Sequence, residues 1–211
     1  MGILEKTQNG MPYEQYIKLF EKWEKADCEE KRFQDEVIQV FLRQLLPDLD
    51  VIETGQSRPY SKNHDLSQYC SQYRDEQGKK KFWRPDITIC DEWYRFNVLT
   101  ADGTDYHNVN YRCVVECKSP CLHERIYDKD DCLKELPNIK KELESHLSAA
   151  NNKKVILTDA VKWILFKDRI DNYNTFNLKV KGDSGWHWKE LEQTESTEYE
   201  NLKNAIREFI Y

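Results

Sequence analysis

The chain has no apolar stretch approaching the roughly 18 residues that a membrane-spanning helix requires. Its first residues, Met1 to Met11, lack a basic head followed by an apolar core, so no signal peptide is expected. With glycine at 7 and proline at 6 in 211 residues, a fibrous or linker-dominated protein is excluded. Excess positive charge is also missing. The 32 basic and 38 acidic residues leave a net charge of −6, which excludes a generally basic nucleic-acid coat. Seven cysteines is an odd number. Without an export signal, reduced thiols in an intracellular setting are expected, cytoplasmic or, in a eukaryote, nuclear.

What is present points to a folded domain. Aromatics reach 12% and hydrophobic residues 39%, too many for a disordered chain despite 33% charged residues. The length suffices for one domain with a real core. No internal repeat or low-complexity tract interrupts it.

Hydrophobic periodicity gives the elements. Tyr16, Leu19, Phe20 and Trp23 recur at helical spacing in the stretch before Asp27. A second helix is expected from Glu30 to Leu46, with Phe33, Val37, Val40, Phe41 and Leu45 on its buried face and Pro47 ending it. Leu49 to Glu53 reads as a short strand. Thr54 to Gly78 is polar and long for a plain loop, so it is read as a functional loop or the seat of a short helix. Strands follow at Phe82 to Cys90, Trp93 to Thr100 and Asn108 to Lys118, with a turn at Ala101-Asp102-Gly103-Thr104. Helix returns from Asp128 to Ala150, where Pro137 marks a kink, a break or a first turn. Lys154 to Thr158 and Lys162 to Lys167 are compact strands, and Thr175 to Val180 an edge strand. Gly182-Asp183-Ser184-Gly185 is a loop, and Tyr199 to Tyr211 a closing amphipathic helix. This order predicts an α/β fold with a mixed sheet flanked by helices.

Acidic residues interrupt two apolar strands, at Arg84-Pro85-Asp86-Ile87-Thr88-Ile89 and at Val114-Val115-Glu116-Cys117-Lys118. Alternation puts Glu116 and Lys118 on one face and Val115 and Cys117 on the other. With Asp86 at the start of the neighbouring strand, its carboxylate can converge on Glu116. Two convergent carboxylates suit Mg²⁺, a hard cation that favours carboxylates and water. Such a cation activates water and stabilises charge on a phosphoryl oxygen. Lys118 would orient or activate the water and stabilise the anionic transition state.

Just upstream, Lys79-Lys80-Lys81-Phe82-Trp83-Arg84 offers cations for phosphates and rings for base stacking. Lys80, Lys81, Trp83 and Arg84 are therefore the candidate nucleic-acid contacts, weighed against a solvated strand start with packed rings. Cys113, Cys117 and Cys121 recur every four residues near His123, but lack the paired spacing of a zinc site. Buried thiols are the expected reading. His64 and His107 are read as surface residues in loops rather than general bases. Trp186-His187-Trp188 is read as a packed strand with one exposed face rather than a platform for a base.

Pro85-Asp86, a gap of 29 residues, and Glu116-Cys117-Lys118 together resemble the motif of the PD-(D/E)xK nuclease superfamily, which includes many restriction endonucleases and resolvases. The motif residues match without substitution, and the hairpin Trp93 to Asn110 would be an insertion. The order of elements also resembles the family core, and Leu143 to Phe166 looks like the helix–strand–strand segment of type I restriction subunit nuclease domains. The resemblance covers about residues 30 to 167. It implies a restriction-endonuclease-like mixed β-sheet flanked by helices, preceded by a helical extension at 1–29 and completed by the strand and helix of 168–211.

The same resemblance implies a metal-dependent endonuclease cutting DNA, or RNA, with Asp86, Glu116 and Lys118 catalytic and with Mg²⁺ or Mn²⁺ as cofactor. A further acid is expected from the helix before the sheet, either Asp35 or Glu36. Glu36 is preferred for its reach and because the family usually uses Glu there. A backbone carbonyl ligand is expected from Cys117, whose thiol should face the core. A homodimer or a partner subunit is the expected assembly. The competing expectations are an inactive nucleic-acid-binding module on the same fold, and a protein-interaction factor using the acidic run Glu190 to Glu200.

Overall fold

The structure, a computed structural model, describes residues 10–54, 72–74, 77–82, 84–91, 110–121, 125–149, 152–189 and 198–211. Helix α1 (Tyr13–Ala26) buries Tyr13, Tyr16 and Phe20 along one stripe, the spacing that an amphipathic helix predicts. The next helical stretch has three parts: α2 (Glu30–Phe33), a π-helical turn (Gln34–Ile38) and α3 (Gln39–Leu45). It stops at Leu46, because the residue before a proline is driven out of the helical region.

Strands β1 (Asp50–Glu53), β2 (Gln72–Arg74), β3 (Lys80–Phe82), β4 (Ile87–Cys90) and β5 (Tyr111–Cys117) come next. The short α4 (Cys132–Glu135) and then α5 (Pro137–Leu147) lead to β6 (Lys154–Thr158). After β7 (Lys162–Lys167), β8 (Tyr173–Asn177), β9 (Lys179–Gly182) and β10 (Gly185–Trp188), the chain ends with α6 (Glu198–Ile210).

The main sheet has six strands among the described residues, in the order β1-β4-β5-β6-β7-β8. Every neighbouring pair is antiparallel except β5 and β6. A parallel pair needs a crossover, and α4 and α5 lie in that connection. The strands bury both faces. Val114, Val155, Leu157, Ile164 and Phe166 pack with Ile139, Leu143 and Leu147 of α5. Cys113, Val115, Cys117, Ile156, Trp163 and Leu165 pack on the opposite side with residues of α1, α3 and α6. Alternate residues of β5 thus feed two cores, as a sheet covered on both sides requires.

Several expected boundaries shift for local reasons. The strand expected from Phe82 to Cys90 is divided: Phe82 ends β3, which pairs with β2, and Ile87 begins β4. Between them Pro85 has no N–H to give a ladder. The strand expected from Thr175 to Val180 breaks at Leu178, a buried residue whose N–H goes to the Val161 carbonyl instead. The long helix expected from Asp128 is two helices, with Pro137 opening the second, where its missing donor costs nothing. The turn Asp183-Ser184 joins β9 to β10; a Cβ on Gly182 would come within 2.6 Å of the His187 ring. The expected strand Trp93 to Thr100, the turn Ala101 to Thr104, His64 and His107 lie outside the described residues.

The chain ends pack onto the same core. The Lys179 ammonium sits 4.7 Å from the ring centres of both Phe20 and Trp188 and 5.6 Å from that of Tyr127, with Glu24 at 3.5 Å. This cation–π cage ties β9 to α1. The Tyr199 hydroxyl of α6 donates to the Met11 carbonyl at 2.8 Å. Trp186 and Trp188 are partly buried and His187 is exposed, so that triplet is a packed strand with one open face. No helix among the described residues is long and apolar enough to cross a membrane.

Candidate active site

The pairing of β4 with β5 brings the two acidic strands together. Ile87 stands opposite Val115. One residue earlier the Asp86 N–H donates to the Val115 carbonyl at 3.1 Å, so Asp86 falls opposite Glu116. Directly opposed residues share a face of the sheet, and here both carry carboxylates. Asp86 is clamped on three sides. Its Oδ2 accepts from the Cys117 N–H at 2.7 Å. Its carbonyl accepts from the Thr54 N–H at 3.0 Å and from Gln34 Nε2 at 3.2 Å.

Glu116 lies near the end of β5, buried at 7% exposure. Lys118 Nζ donates to its Oε1 at 2.7 Å, and His146 Nε2 approaches its Oε2 at 3.4 Å. Lys118 also reaches Glu142 Oε2 at 3.4 Å, while its backbone N–H donates to the Thr158 carbonyl at 2.8 Å. Glu142 and His146 are four apart on α5, so they lie on one helix face. The site is therefore built at the ends of β4 and β5, with β6 beside it and α5 above.

Electrostatics divides the two carboxylates. Burial, then the charge of Glu116, raises Asp86 to about 7; the Cys117 N–H pulls the other way, and Glu30 adds to the rise. Burial also opposes the charged form of Glu116, but His146 and Lys118 outweigh it and hold that carboxyl below its ordinary range. Two like charges this close cannot both ionise cheaply. Glu116 keeps the charge and Asp86 takes the proton near neutrality. For Lys118, burial lowers the ammonium, yet Glu116 and then Glu142 more than reverse this and hold it above the usual lysine range. Lys118 is thus a fixed cation. Glu142 is raised by burial, against the pull of Lys118.

The donor set fits a hard cation. Among the described residues no three His, Cys, Asp or Glu side chains form a ready-made metal cage. Mg²⁺ seldom uses one: it is held by one or two carboxylates together with water and substrate phosphates. Asp86 and Glu116 supply two carboxylates, and a divalent cation would relieve the repulsion by Glu116 that, after burial, raises Asp86.

The residues singled out from the sequence fall into three groups. Asp86, Glu116 and Lys118 are brought together, and the Cys117 thiol is fully buried in the core as expected. The helix acids are placed differently. Asp35 accepts from Lys31 at 2.7 Å and Gln39 at 3.1 Å, and Glu36 pairs with Arg32 at 3.8 Å. Both acids are taken up by partners four residues away on the same helical stretch, the spacing at which helix side chains meet. Glu30, at the start of α2, is the helix acid whose charge is felt at Asp86, Cys117 and Lys118. The basic stretch is described in part. Lys80 and Lys81 lie on β3, Arg84 is exposed two residues before Asp86, and Trp83 lies outside the described residues.

Four partners of the site escaped the sequence reading: Glu30, Gln34, Glu142 and His146. The last two had a usable signal. His146 shares the apolar stripe of α5 with Ile139 and Leu143, and a histidine at a core position needs a polar partner. Cys28 and Cys121 form a disulfide across 93 residues, which departs from the expected reduced thiols. The other four cysteines of the described residues are buried thiols outside any disulfide. Comparison of the chain with family models, curated proteins and solved structures finds no match.

Proposed function

We propose that this chain is a metal-dependent nuclease of the PD-(D/E)xK kind, with a restriction-endonuclease-like fold, that hydrolyses phosphodiester bonds in DNA. One observation carries the reading. Asp86 and Glu116 converge from adjacent strands, and Lys118 is bonded to Glu116 at the end of β5. A structural ion pair would explain Lys118 with Glu116, but not a second, largely buried carboxyl set against them at an energetic cost.

Asp86 and Glu116 would hold Mg²⁺ or Mn²⁺, with the Cys117 carbonyl as a third oxygen. When bound, the cation supplies a lowered pKa for water and charge neutralisation at the phosphate. Lys118, a fixed ammonium, donates to the attacking water or the scissile phosphate and stabilises the charge that builds there. Because it is protonated, it orients rather than deprotonates. Glu142 and His146 hold Lys118 and Glu116 in place, as supporting residues do at metal sites. Arg84, with Lys80 and Lys81, would offset phosphate charge in a chain whose net charge is −6.

The test is incubation of the full chain with plasmid, single-stranded DNA and RNA, in Mg²⁺, in Mn²⁺ and in chelator. Asp86→Asn and Lys118→Ala run alongside. Metal-dependent cutting lost in both variants supports the proposal and names the substrate. An absence of cutting, with no cation binding by calorimetry, overturns it in favour of an inactive module.

A further inference from the structure

Asp86 is held at both its main-chain groups and at its carboxylate. Its N–H donates to the Val115 carbonyl at 3.1 Å, and its Oδ2 accepts from the Cys117 N–H at 2.7 Å. Its own carbonyl takes two donors, the Thr54 N–H at 3.0 Å and Gln34 Nε2 at 3.2 Å. A carbonyl offers only lone pairs, so the amide nitrogen of Gln34 is the end that faces it. The Thr54 bond continues the pairing of β1 with β4, in which Glu53 stands opposite Ile87. The Gln34 bond belongs to no ladder. It reaches the strand from a helical stretch 52 residues away in the chain.

The backbone around Gln34 is unusual. Gln34 opens the π-helical turn, and its carbonyl accepts from the Gln39 N–H, five residues on. Such turns are rare and gather at functional sites. Gln34 is 3% exposed, beside the fully buried Phe33, Val37 and Ile38. Packing alone would be served by an apolar residue there, since a buried amide costs stability unless it is bonded. The bond that Gln34 makes goes to the peptide of a candidate cation ligand.

We infer that Gln34 is a positioning residue that holds Asp86 for a small, strictly coordinated cation and so raises the affinity of the site for Mg²⁺ relative to Ca²⁺. The inference rests on the nuclease reading of the Asp86–Glu116 pair and concerns the cation selectivity of that pair. Mg²⁺ demands near-ideal geometry with oxygens at about 2.0–2.1 Å, whereas Ca²⁺ accepts a flexible shell at about 2.3–2.6 Å. Selectivity between them therefore depends on how firmly the ligands are held. With Gln34 bonded, the Asp86 peptide cannot turn without breaking a buried hydrogen bond. Without it, the Thr54 N–H alone holds that carbonyl. The carboxylate then gains a freedom that Ca²⁺ tolerates and Mg²⁺ does not.

Mg²⁺ and Ca²⁺ affinities of the full chain are measured by calorimetry, beside Gln34→Met and Gln39→Met. Methionine keeps the length of glutamine and removes the donor. Gln39 is the control. It is also 3% exposed and lies on the same helical stretch, but its Nε2 donates to Asp35. Gln34→Met should bind Mg²⁺ about tenfold more weakly, as loss of a supporting partner at a metal site does, and Ca²⁺ within about threefold of the unmodified chain. Gln39→Met should keep the ratio of the two affinities, whatever its stability. In the unmodified chain, added Mg²⁺ should move the side-chain amide signal of Gln34 in a ¹⁵N spectrum and leave that of Gln39 in place. This readout stands even where a variant does not fold. An unchanged ratio in Gln34→Met, an equal change in Gln39→Met, or a Gln34 signal blind to Mg²⁺ would overturn the positioning role while the nuclease reading stands. No binding of either cation to the unmodified chain would overturn the nuclease reading, and the selectivity with it.

Discussion

Asp86 and Glu116 face one another across adjacent strands yet hold opposite protonation preferences: burial and its neighbour raise Asp86 to about 7, whereas His146 and Lys118 keep Glu116 ionised. The asymmetry comes from partners. Asp86 accepts one backbone N–H, while Glu116 has a cation on one oxygen and an imidazole on the other.

Cation affinity should therefore depend on pH. Binding requires Asp86 to release its proton, so affinity should climb about tenfold per pH unit below 7 and level off above it. The stability of the metal-free protein should run the other way. The folded pKa lies above the ordinary 3.8, so the contribution of Asp86 is fully present below that value and is lost as pH rises through about 7. Calorimetric titrations of Mg²⁺ between pH 5.5 and 8.5 check the first statement, and melting curves over the same range check the second. A flat affinity profile would mean that the proton is not on Asp86.

Lys118→Met should separate binding from chemistry. Loss of a donor aimed at developing charge should lower cutting by roughly 10²–10³. Mg²⁺ affinity should be retained or rise, because the variant removes a competing cation from Glu116. A parallel fall in both would assign Lys118 a structural role.

His146→Ala should weaken the site from behind. Glu116 would lose one partner, and a fully enclosed ring would leave a cavity. Mg²⁺ affinity should fall about 10–100-fold, with a stability loss of about 2–3 kcal/mol by denaturant titration. His146→Gln, which keeps a polar group at this position, should recover part of the affinity. An affinity equal to that of the unmodified chain in the alanine variant would remove His146 from the site.

Asp159 makes a structural prediction remote from catalysis. Its two oxygens accept from the N–H groups of Ile126, Tyr127, Val161 and Lys162 at 2.7–3.0 Å. It lies in the turn between β6 and β7, where Ala160 holds a positive φ of 67°. Asp159→Ala would orphan four buried or half-buried donors, and should cost about 3–5 kcal/mol in chemical denaturation. A loss under 1 kcal/mol would show that the turn finds other acceptors.

Much of the element order was legible in the residues. Lys154 to Thr158 and Lys162 to Lys167 are strands within the boundaries that their apolar runs predict, because short continuous runs bounded by turn residues have little other way to be buried. Glu116 and Lys118 share a face because strand side chains alternate, a rule that needs no partner strand. Boundaries failed where a backbone bond left the regular ladder, at Pro85 and at Leu178.

The helix acids were legible only as a choice, and neither candidate joins the carboxylates. Asp35 and Glu36 sit in a turn whose hydrogen bonds skip one residue further than an α-helix allows, and no side-chain pattern announces that register. Glu30 lies one turn before Gln34, whose side chain bonds to the Asp86 carbonyl.

By itself the sequence determined which residue types the chain brings to the site, the alternation that places Glu116 beside Lys118, and the order of helices and strands, because each follows from local period and backbone chemistry. Tertiary structure alone decided that Asp86 falls opposite Glu116, that α5 delivers Glu142 and His146, and that Cys28 meets Cys121 across 93 residues. These are contacts between segments distant in the chain. Strand register and helix docking are fixed by the burial of whole faces at once, and no local pattern carries that information.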